Sequence, residues 1–251
     1  MRRIIILQKA MITYSCVDIV IDYLNGMMLG SNGKEIFNMN KLILFDWGNV
    51  LLDSDSNVYN IFDARKDIVI ELNPLNIYKF MDMFDKDEFW TMNGNCLNEF
   101  IQKYLMESGC HCTIDDFKEC YLKHYSKVPW FSNMVSLINT LASDSRFHVG
   151  VLSTLCEMDL ELLKNNFSVD KLDYRFFSCS IGVQKPDARI YDMIEVITGY
   201  SRDNILFIDD RKENINEAKS KGWNTVLATG NDFEAVLKEC YSFMGFDWES
   251  E

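Results

Sequence analysis

Five short apolar runs, separated by helical patterns, constrain the fold of this chain more than any other feature of its sequence. The first run, residues 42–45, is continuously apolar and is followed by Asp46, as expected of a parallel strand buried on both faces. Residues 157–166 and 213–221 carry helical patterns between later runs. The alternation predicts an α/β fold with a Rossmann-like, doubly wound parallel sheet. The four later runs are residues 148–152, 175–180, 205–209 and 224–228.

Between residues 54 and 130 the strand signals disappear, and apolar residues recur three or four positions apart, as on one face of a helix. We predict a helical cap over residues 54–130, inserted into a Rossmann-like core of residues 41–53 and 131–251. Residues 1–40 match neither part and are predicted to form an N-terminal extension of unknown role, unless the start codon was assigned too far upstream. The helical patterns cover residues 75–84, 97–106, 114–125 and 131–142.

Composition and charge exclude several classes of function. The formal net charge of −13 argues against a surface that binds nucleic-acid phosphates, so an anionic substrate needs a local positive pocket. Residues 4–24 are the best candidate for a membrane span, but Asp18 and Asp22 interrupt them, so no membrane partner is expected. Eight scattered cysteines in a chain too large to need disulfides indicate reduced thiols and a cytoplasmic protein. The oligomeric state is not indicated.

Polar residues at the ends of predicted strands form the strongest chemical signal. Asp46 follows the first strand, and Ser153 follows the second. Asp209 and Asp210 come at the end of the fourth strand, and Lys185 lies between the third and fourth strands. Each residue alone has an ordinary explanation as a cap, a turn residue or an exposed lysine. Together they are expected at one edge of the sheet, where ligands of such folds bind. A carboxylate there can attack phosphorus if a divalent cation and an ammonium reduce the charge repulsion.

At these residues the sequence resembles the haloacid dehalogenase superfamily, whose members are mostly phosphatases. The resemblance covers about residues 41–240 and puts the insertion between the first and second motifs, which is typical of the small helical cap class. The first motif is especially similar to the branch of bacterial glucose-1-phosphate phosphatases and the phosphatase domain of soluble epoxide hydrolase. The matching segments are residues 45–51 (Phe-Asp-Trp-Gly-Asn-Val-Leu), 151–154 (Val-Leu-Ser-Thr), 182–187 (Gly-Val-Gln-Lys-Pro-Asp) and 207–210 (Phe-Ile-Asp-Asp).

The resemblance implies a role for each motif residue. The catalytic set would be Asp46, the nucleophile that forms an aspartyl-phosphate, with Lys185 and Ser153. Mg²⁺ is the implied cofactor, because oxygen ligands suit it and its charge offsets that of the phosphate. Its ligands would be Asp46, the backbone carbonyl of Gly48, Asp210 directly and Asp209 through a water. The substrate and its phosphate would be bound by Ser153, Thr154, Lys185, Asn49 and Trp47, the last as a wall of the pocket.

Gly48 departs from the family pattern, which usually has a second Asp two residues after the nucleophile. Glycine cannot transfer a proton, and loss of a positioned acid typically lowers the rate by ~10²–10⁴-fold. Either another group substitutes or the substrate has a good leaving group, as a sugar-1-phosphate does. Asp53 is a candidate for the replacement acid, although it is also placed to cap the first cap helix.

The function predicted from the sequence is a Mg²⁺-dependent phosphatase for a small phosphorylated metabolite, with sugar phosphates as one candidate class. The alternatives are a non-catalytic protein that binds phosphometabolites or a partner and, less favoured, a dehalogenase, which does not need the Asp209-Asp210 pair. Cys110 and Cys112 lack a second ligand pair at suitable spacing, so no zinc site is expected there. The residues that could line the entrance, or else form the cap core, are Trp90, Asn93, Asn95, His124, Tyr125 and Trp130.

Overall fold

The core of the fold is a parallel sheet. The computed structural model describes residues 41–143, 147–166 and 171–245, so the predicted extension of residues 1–40 lies outside the described residues. The strands are β1 (Lys41–Phe45), β2 (Phe147–Ser153), β3 (Tyr174–Phe177), β4 (Ile205–Asp209) and β5 (Asn224–Leu227). They form one sheet in the order β3-β2-β1-β4-β5, with every pairing parallel. The predicted α/β fold with a doubly wound parallel sheet is confirmed.

Strand β1 is apolar throughout because both of its faces are covered. Ile43 and Phe45 belong to one buried cluster, whereas Leu42 and Leu44 belong to the cluster on the opposite face of the sheet. All four side chains are fully buried. Successive residues of a strand point to opposite faces, so a strand between two helical layers has no solvent-facing positions to fill with polar residues.

Helices cover both faces of the sheet. They are α1 (Ile61–Leu72), α2 (Ile77–Asp82), α3 (Asp87–Thr91), α4 (Gly94–Glu107), α5 (Ile114–Tyr125), α6 (Ser132–Leu141), α7 (Asp159–Asn166), α8 (Ser178–Ile181), α9 (Ala188–Thr198), α10 (Lys212–Ser220) and α11 (Phe233–Met244). Helices α6 and α11 add Ile138 and Val236 to the cluster of Ile43, while α9 and α10 add Ile190 and Ile215 to the other. No helix among the described residues is long and apolar enough to cross a bilayer.

Helices α1 to α5 all lie between β1 and β2 in the chain and share a core of aromatic side chains. Phe84 contacts Phe89 at a centroid distance of 5.2 Å and Phe80 at 6.1 Å. Phe117 and Tyr121 extend this cluster from α5. Aromatic pairs at such distances and edge-to-face angles add to the stability that burial alone provides. The division of the chain into a core and a cap of residues 54–130 stays a prediction.

A direct junction joins the helical segment to the sheet through helix α8. Ser178 Oγ donates to the carbonyl oxygen of Trp90 at 2.6 Å and accepts from the backbone N–H of Leu155 at 3.0 Å. Asn93 Nδ2 donates to the carbonyl oxygen of Cys179 at 2.7 Å. The same serine hydroxyl therefore contacts both the end of α3 and the loop that follows β2.

One local prediction was wrong, and one helix was missed. The strand predicted over residues 175–180 ends at Phe177, because the next four residues form α8 and turn the chain toward Trp90. Helix α1 was not predicted at all. Only its Ala64 and Ile68 are buried, whereas the apolar Phe62 is 64% exposed, so the apolar pattern of one face is blurred.

Candidate active site

The parallel register of the sheet brings two carboxylates to one edge. Asp46 follows β1 directly, and Phe45 pairs with Ile208 of β4, so Asp46 lies beside Asp209. The backbone N–H of Asp46 donates to the carbonyl oxygen of Ile208 at 2.9 Å, which extends the strand pairing by one residue. Both side chains are buried, Asp209 completely. Pairing between β1 and β4 thus fixes their relative position.

Lys185 lies between the two carboxylates. Its Nζ is 2.8 Å from Asp46 Oδ1 and 2.6 Å from Asp209 Oδ2. The lysine comes from the loop between α8 and α9, and only 5% of its surface is exposed. Because so buried an ammonium is stable only when it is paired, this position makes Lys185 part of the carboxylate cluster.

Asp209 is held by donors on several sides. Besides the contact with Lys185, both of its carboxylate oxygens accept from Asn214 Nδ2, at 2.9 and 3.0 Å. The backbone N–H of Arg211 donates to Asp209 Oδ1 at 2.8 Å. These bonds restrict the Asp209 side chain, which in turn fixes the positions of the Lys185 ammonium and of the turn after β4. Asn214 therefore orients the Asp209 carboxylate.

Asp210 is the more accessible acid of the pair and is positioned by Asn49. Asn49 Nδ2 donates to Asp210 Oδ2 at 3.1 Å and to Asp55 Oδ2 at 2.8 Å. The backbone N–H of Asp55 donates back to Asn49 Oδ1 at 3.1 Å. Asn49 has a φ of 55°, in the left-handed region that asparagine tolerates better than most residues. The side chain predicted to bind phosphate is therefore engaged with two carboxylates.

Burial and neighbouring charges change the proton affinity of the cluster. Burial raises the pKa of Asp46 to about 7; the ammonium of Lys185 opposes this rise, and the charge of Asp209 adds to it. Burial also raises the pKa of Asp210. For Lys185, burial acts to lower the pKa, but the carboxylates of Asp209 and Asp46 outweigh it and raise the pKa above its ordinary value. Burial thus disfavours full ionisation of Asp46 and Asp210, and a further positive charge beside them would favour it.

The donor set fits a hard divalent cation. Asp46, Asp209 and Asp210 each offer a carboxylate oxygen, and these three oxygens lie within 4.8 Å of one another. Three carboxylates and one ammonium leave a formal charge of −2, which one divalent ion would balance. Oxygen-only ligands are typical of Mg²⁺ sites. Asp46 and Asp210 are the better placed ligands, because Asp209 is already bonded to Lys185 and Asn214.

Hydrogen-bond donors without partners lie in the loops beside Asp46. Ser153 ends β2 at the same edge of the sheet and is 1% exposed, and its hydroxyl bonds to no described residue. Thr154 Oγ1 and Trp47 Nε1 are also buried and have no hydrogen-bond partner among residues 41–143, 147–166 and 171–245. The ring of Trp47 packs against that of Trp130 at a centroid distance of 6.1 Å. Because unpaired buried donors are costly, they indicate a place for acceptor groups of a ligand.

The turn after Asp46 has room for a side chain at Gly48. A Cβ there would meet Ser54 Oγ at 3.6 Å, an ordinary contact. Asp53 does not cap the first helix of the segment; that cap is Asn60, whose side chain accepts from two N–H groups of α1. The alternative assignment of Asp53 as a helix cap is therefore wrong, and its assignment as a replacement acid stays a prediction.

The residues considered for the entrance are mostly engaged elsewhere. Asn93 bonds to the carbonyl oxygen of Cys179, and Tyr125 accepts from Arg65 Nε at 3.0 Å. His124 is buried and lies 2.7 Å from Glu71 in the helical segment. Trp90 donates to the carbonyl oxygen of Phe84, and Trp130 packs on Trp47. Asn95 lines a shallow depression on α4.

Comparison with known proteins identifies the family. A family model described as haloacid dehalogenase-like hydrolase matches residues 43–228, which include all of the carboxylates discussed above. The chain belongs to the haloacid dehalogenase-like hydrolases. This haloacid dehalogenase-like hydrolase also resembles solved structures of the family along most of its length.

Three of these structures illustrate the range of the family. A predicted HAD-like hydrolase from Porphyromonas gingivalis is 18% identical, with a TM-score of 0.62, over 80% of this chain and 98% of that chain. A HAD family enzyme from Bacteroides thetaiotaomicron, in complex with magnesium and inorganic phosphate, is 17% identical, with a TM-score of 0.61, over 76% and 95%. A 2-haloacid dehalogenase from Pseudomonas syringae is 16% identical, with a TM-score of 0.57, over 80% and 99%. At such identities the likeness establishes the shared fold, and the chemistry must be argued from the site.

Proposed function

We propose that this protein is a Mg²⁺-dependent phosphatase that hydrolyses a small phosphomonoester through an aspartyl-phosphate on Asp46. The observation that carries the proposal is the buried cluster of Asp46, Asp209, Asp210 and Lys185, with its formal charge of −2 at the carboxyl edge of the sheet. A metal-free dehalogenase does not need this surplus of negative charge. A divalent ion bound by Asp46 and Asp210, with the Gly48 carbonyl as a further ligand, would supply positive charge beside the phosphoryl group.

Asp46 is the proposed nucleophile. Its Oδ1 accepts from the backbone N–H of Trp47 at 2.7 Å and from Lys185 at 2.8 Å. Its Oδ2 accepts from no described residue and is the oxygen left to attack. A new bond then forms between Oδ2 and phosphorus while the bond from phosphorus to the leaving oxygen breaks, and the hydroxyl of Ser153 and the N–H of Thr154 donate to the phosphoryl oxygens.

The second half of the reaction restores the carboxylate. Water attacks phosphorus, the bond to Asp46 breaks and inorganic phosphate leaves. The proton that the water loses balances the proton that the departing alkoxide gains. Because Gly48 carries no acid, the leaving oxygen accepts its proton from solvent or from another group, for which Asp53 is the candidate. Substrates whose leaving oxygen is already a weak base are therefore favoured.

The proposed substrate class follows from that requirement. The anomeric oxygen of a sugar-1-phosphate leaves more readily than an ordinary alcohol, and the motif of residues 45–51 resembles the glucose-1-phosphate phosphatase branch. We therefore propose a small phosphorylated metabolite as the substrate, in the cytoplasm, with no nucleic-acid or membrane partner. The net charge of −13 supports the exclusion of nucleic acid.

The testing experiment is a phosphate-release assay on a panel of phosphorylated metabolites and para-nitrophenyl phosphate, with Mg²⁺ and with a chelator. The proposal expects release that depends on Mg²⁺ and that the Asp46→Asn variant lacks. Chloride release from a 2-haloacid without metal would instead identify a dehalogenase. Saturable binding of phosphometabolites with no release of phosphate would identify a non-catalytic binding protein, the alternative that Gly48 suggests.

Substitution of Gly48 tests the leaving-group argument. The Gly48→Asp variant is expected to raise kcat/KM on an alkyl phosphate such as glycerol phosphate by about tenfold or more, because a positioned acid protonates a poor leaving oxygen. On para-nitrophenyl phosphate the gain should be small. The free space around a Cβ at this position makes the substitution structurally mild. Gly48→Asn is the matched control, since it has the same shape and no acid, and equal gains on both substrates would contradict the argument.

Mg²⁺ should stabilise the protein more at high pH than at low pH. The pKa of Asp46 is about 7 in the metal-free protein against 3.8 for a free carboxyl, so the native state binds a proton that the unfolded chain has lost. Its contribution to stability is thus present at low pH and is lost as the pH rises from about 4 to 7. Mg²⁺ favours the ionised carboxylate, so the Mg²⁺-induced rise in Tm should be larger at about pH 8 than at about pH 5. Asp46→Asn should weaken this dependence, and an equal rise at both pH values would count against Asp46 as a ligand.

A further inference from the structure

A second cluster of metal-ligating side chains lies in the helical segment, where α1 faces α5. Cys120 and His124 are four residues apart on α5 and therefore project from the same face of the helix. Glu71 meets them from the last turn of α1. The residues Cys120 and His124 are 3% and 5% exposed, whereas Glu71 reaches the surface. The cluster is thus buried on one side and open to solvent on the other.

The three side chains are close enough to share one ion. One ligand atom from each lies within 4.8 Å of the other two. His124 Nε2 and Glu71 Oε2 are 2.7 Å apart. In a tetrahedral zinc site, with bonds of about 2.0–2.3 Å, neighbouring ligand atoms are about 3.3–3.6 Å apart. Changes of about half an ångström to one and a half ångström between ligand atoms, reached by rotamer adjustment, would therefore convert the cluster into three corners of a tetrahedron.

Asp67 lies beside Nδ1 of His124, the ring nitrogen that does not face Glu71. It lies one turn before Glu71 on α1, and its Oδ2 is 3.4 Å from His124 Nδ1. A histidine that binds a metal through Nε2 usually donates its Nδ1–H to a carboxylate, which fixes the tautomer and the ring orientation. Tyr59 donates to the same Asp67 oxygen at 2.9 Å and holds that carboxylate in place. The cluster thus has a ligand set and the outer carboxylate that commonly accompanies it.

Two lysine side chains contact Glu71 and His124, and a bound cation would have to displace them. Lys123 Nζ is 2.8 Å from Glu71 Oε2, and Lys127 Nζ is 3.0 Å from His124 Nδ1. Their side chains are 56% and 44% exposed. Exposed contacts of this kind contribute little to stability, because solvent competes for both partners. A thiolate, an imidazole and a carboxylate together bind zinc far more strongly than that, so the lysines do not block the site.

We propose that Cys120, His124 and Glu71 form a binding site for a thiophilic divalent cation of the zinc type, with a water in the fourth position. The ligand set distinguishes this site from the cluster around Asp46. Sulfur and imidazole select zinc, whereas three carboxylates select a hard ion such as Mg²⁺. Burial raises the pKa of the Cys120 thiol to about 11, so binding of the cation at neutral pH releases the thiol proton to solvent. All seven cysteines among the described residues are free thiols, as the site requires.

The test is titration of the purified, chelator-treated full chain with Co²⁺ in the presence of excess Mg²⁺, which keeps the carboxylate site occupied. The proposal expects one equivalent of Co²⁺ to produce a thiolate-to-cobalt charge-transfer band and the visible bands of tetrahedral cobalt. Zn²⁺ should remove these bands by competition and should raise the Tm. This readout does not depend on phosphatase activity, so failure of the site and failure of the proposed function are distinguishable.

Variants identify the ligands. Cys120→Ser should abolish the charge-transfer band, and Asp67→Asn should weaken binding about 10–100-fold while the band remains. Cys110→Ser is the matched control, because Cys110 is a neighbouring buried thiol whose sulfur lies 3.2 Å from that of Cys112. Loss of the band in Cys110→Ser but not in Cys120→Ser would overturn the proposal, as would the absence of a saturable band in the wild type. If Cys120→Ser fails to fold, His124→Gln provides the same test, with at least tenfold weaker binding expected.

Discussion

Asp46→Asn is expected to lower the Mg²⁺-dependent turnover of para-nitrophenyl phosphate by about 10⁴-fold or more while the protein stays folded. An amide nitrogen or oxygen cannot replace the carboxylate as a nucleophile. The amide has the same shape and can still accept from the N–H of Trp47, so the fold has no reason to change. Steady-state kinetics with enzyme concentrations high enough to detect residual turnover would measure the loss.

The stability of this variant separates a catalytic role from a structural one. Burial makes the ionised form of Asp46 unfavourable, which is why its pKa is raised to about 7. In Mg²⁺-free buffer above that pH, Asp46→Asn should therefore unfold at a denaturant concentration no lower than the wild type does. Asp192→Asn, an exposed acid paired with Lys221, is the matched control and should keep full activity. Turnover by Asp46→Asn within about tenfold of the wild type would exclude Asp46 as the nucleophile.

Lys185→Met is expected to destabilise the metal-free protein by about 3–5 kcal/mol and to abolish activity, because it removes the ammonium between Asp46 and Asp209. Methionine fills a similar volume, so the loss reports mainly on charge. Chemical denaturation at about pH 8 is the measurement, and the loss should shrink at about pH 5, where protonation relieves the remaining carboxylates.

A second variant tests whether unpaired charge causes that loss. Lys185→Met combined with Asp209→Asn should be less destabilised than the sum of the two single variants, because each change removes the partner that the other would leave buried and unpaired. Addition of Mg²⁺ should recover part of the stability of Lys185→Met. Unchanged stability in the single variant would mean that the three groups do not form a coupled cluster in solution.

The sequence predicted the sheet and the position of its acidic edge because both depend on local patterns. A buried parallel strand is apolar at every position, so the first polar residue marks its carboxyl end, as Asp46 does for β1. Asp209 follows the same rule for β4. Lys185 follows no strand directly, and its catalytic role was assigned from the resemblance to a family motif.

The predictions that failed depend on contacts between distant residues. Ser178 is 88 positions from Trp90, and their hydrogen bond turns a predicted strand into α8. The assignment of Asn49 to phosphate stays a prediction, but its contact with Asp210, 161 positions away, could not be predicted from local patterns. Helix α1 was missed because only two of its residues, Ala64 and Ile68, are buried, which is too few to give an amphipathic pattern. The i and i+4 spacing of Cys120 and His124 was visible in the sequence, but Glu71 on the facing helix was not.

The hydroxyl of Ser178 links helix α3 to the loop after β2. It accepts from the Leu155 N–H, two residues after Ser153, while it donates to the Trp90 carbonyl at the end of α3. Without the Trp90 carbonyl, the same hydroxyl proton can turn to the carbonyl oxygen of Leu155, which is 3.1 Å from Ser178 Oγ. The bond to α3 and a bond to the loop that is proposed to receive phosphate therefore compete for one proton. A ligand that draws the Leu155 carbonyl away from Ser178 would therefore favour the bond to α3, with no contact to α3 itself.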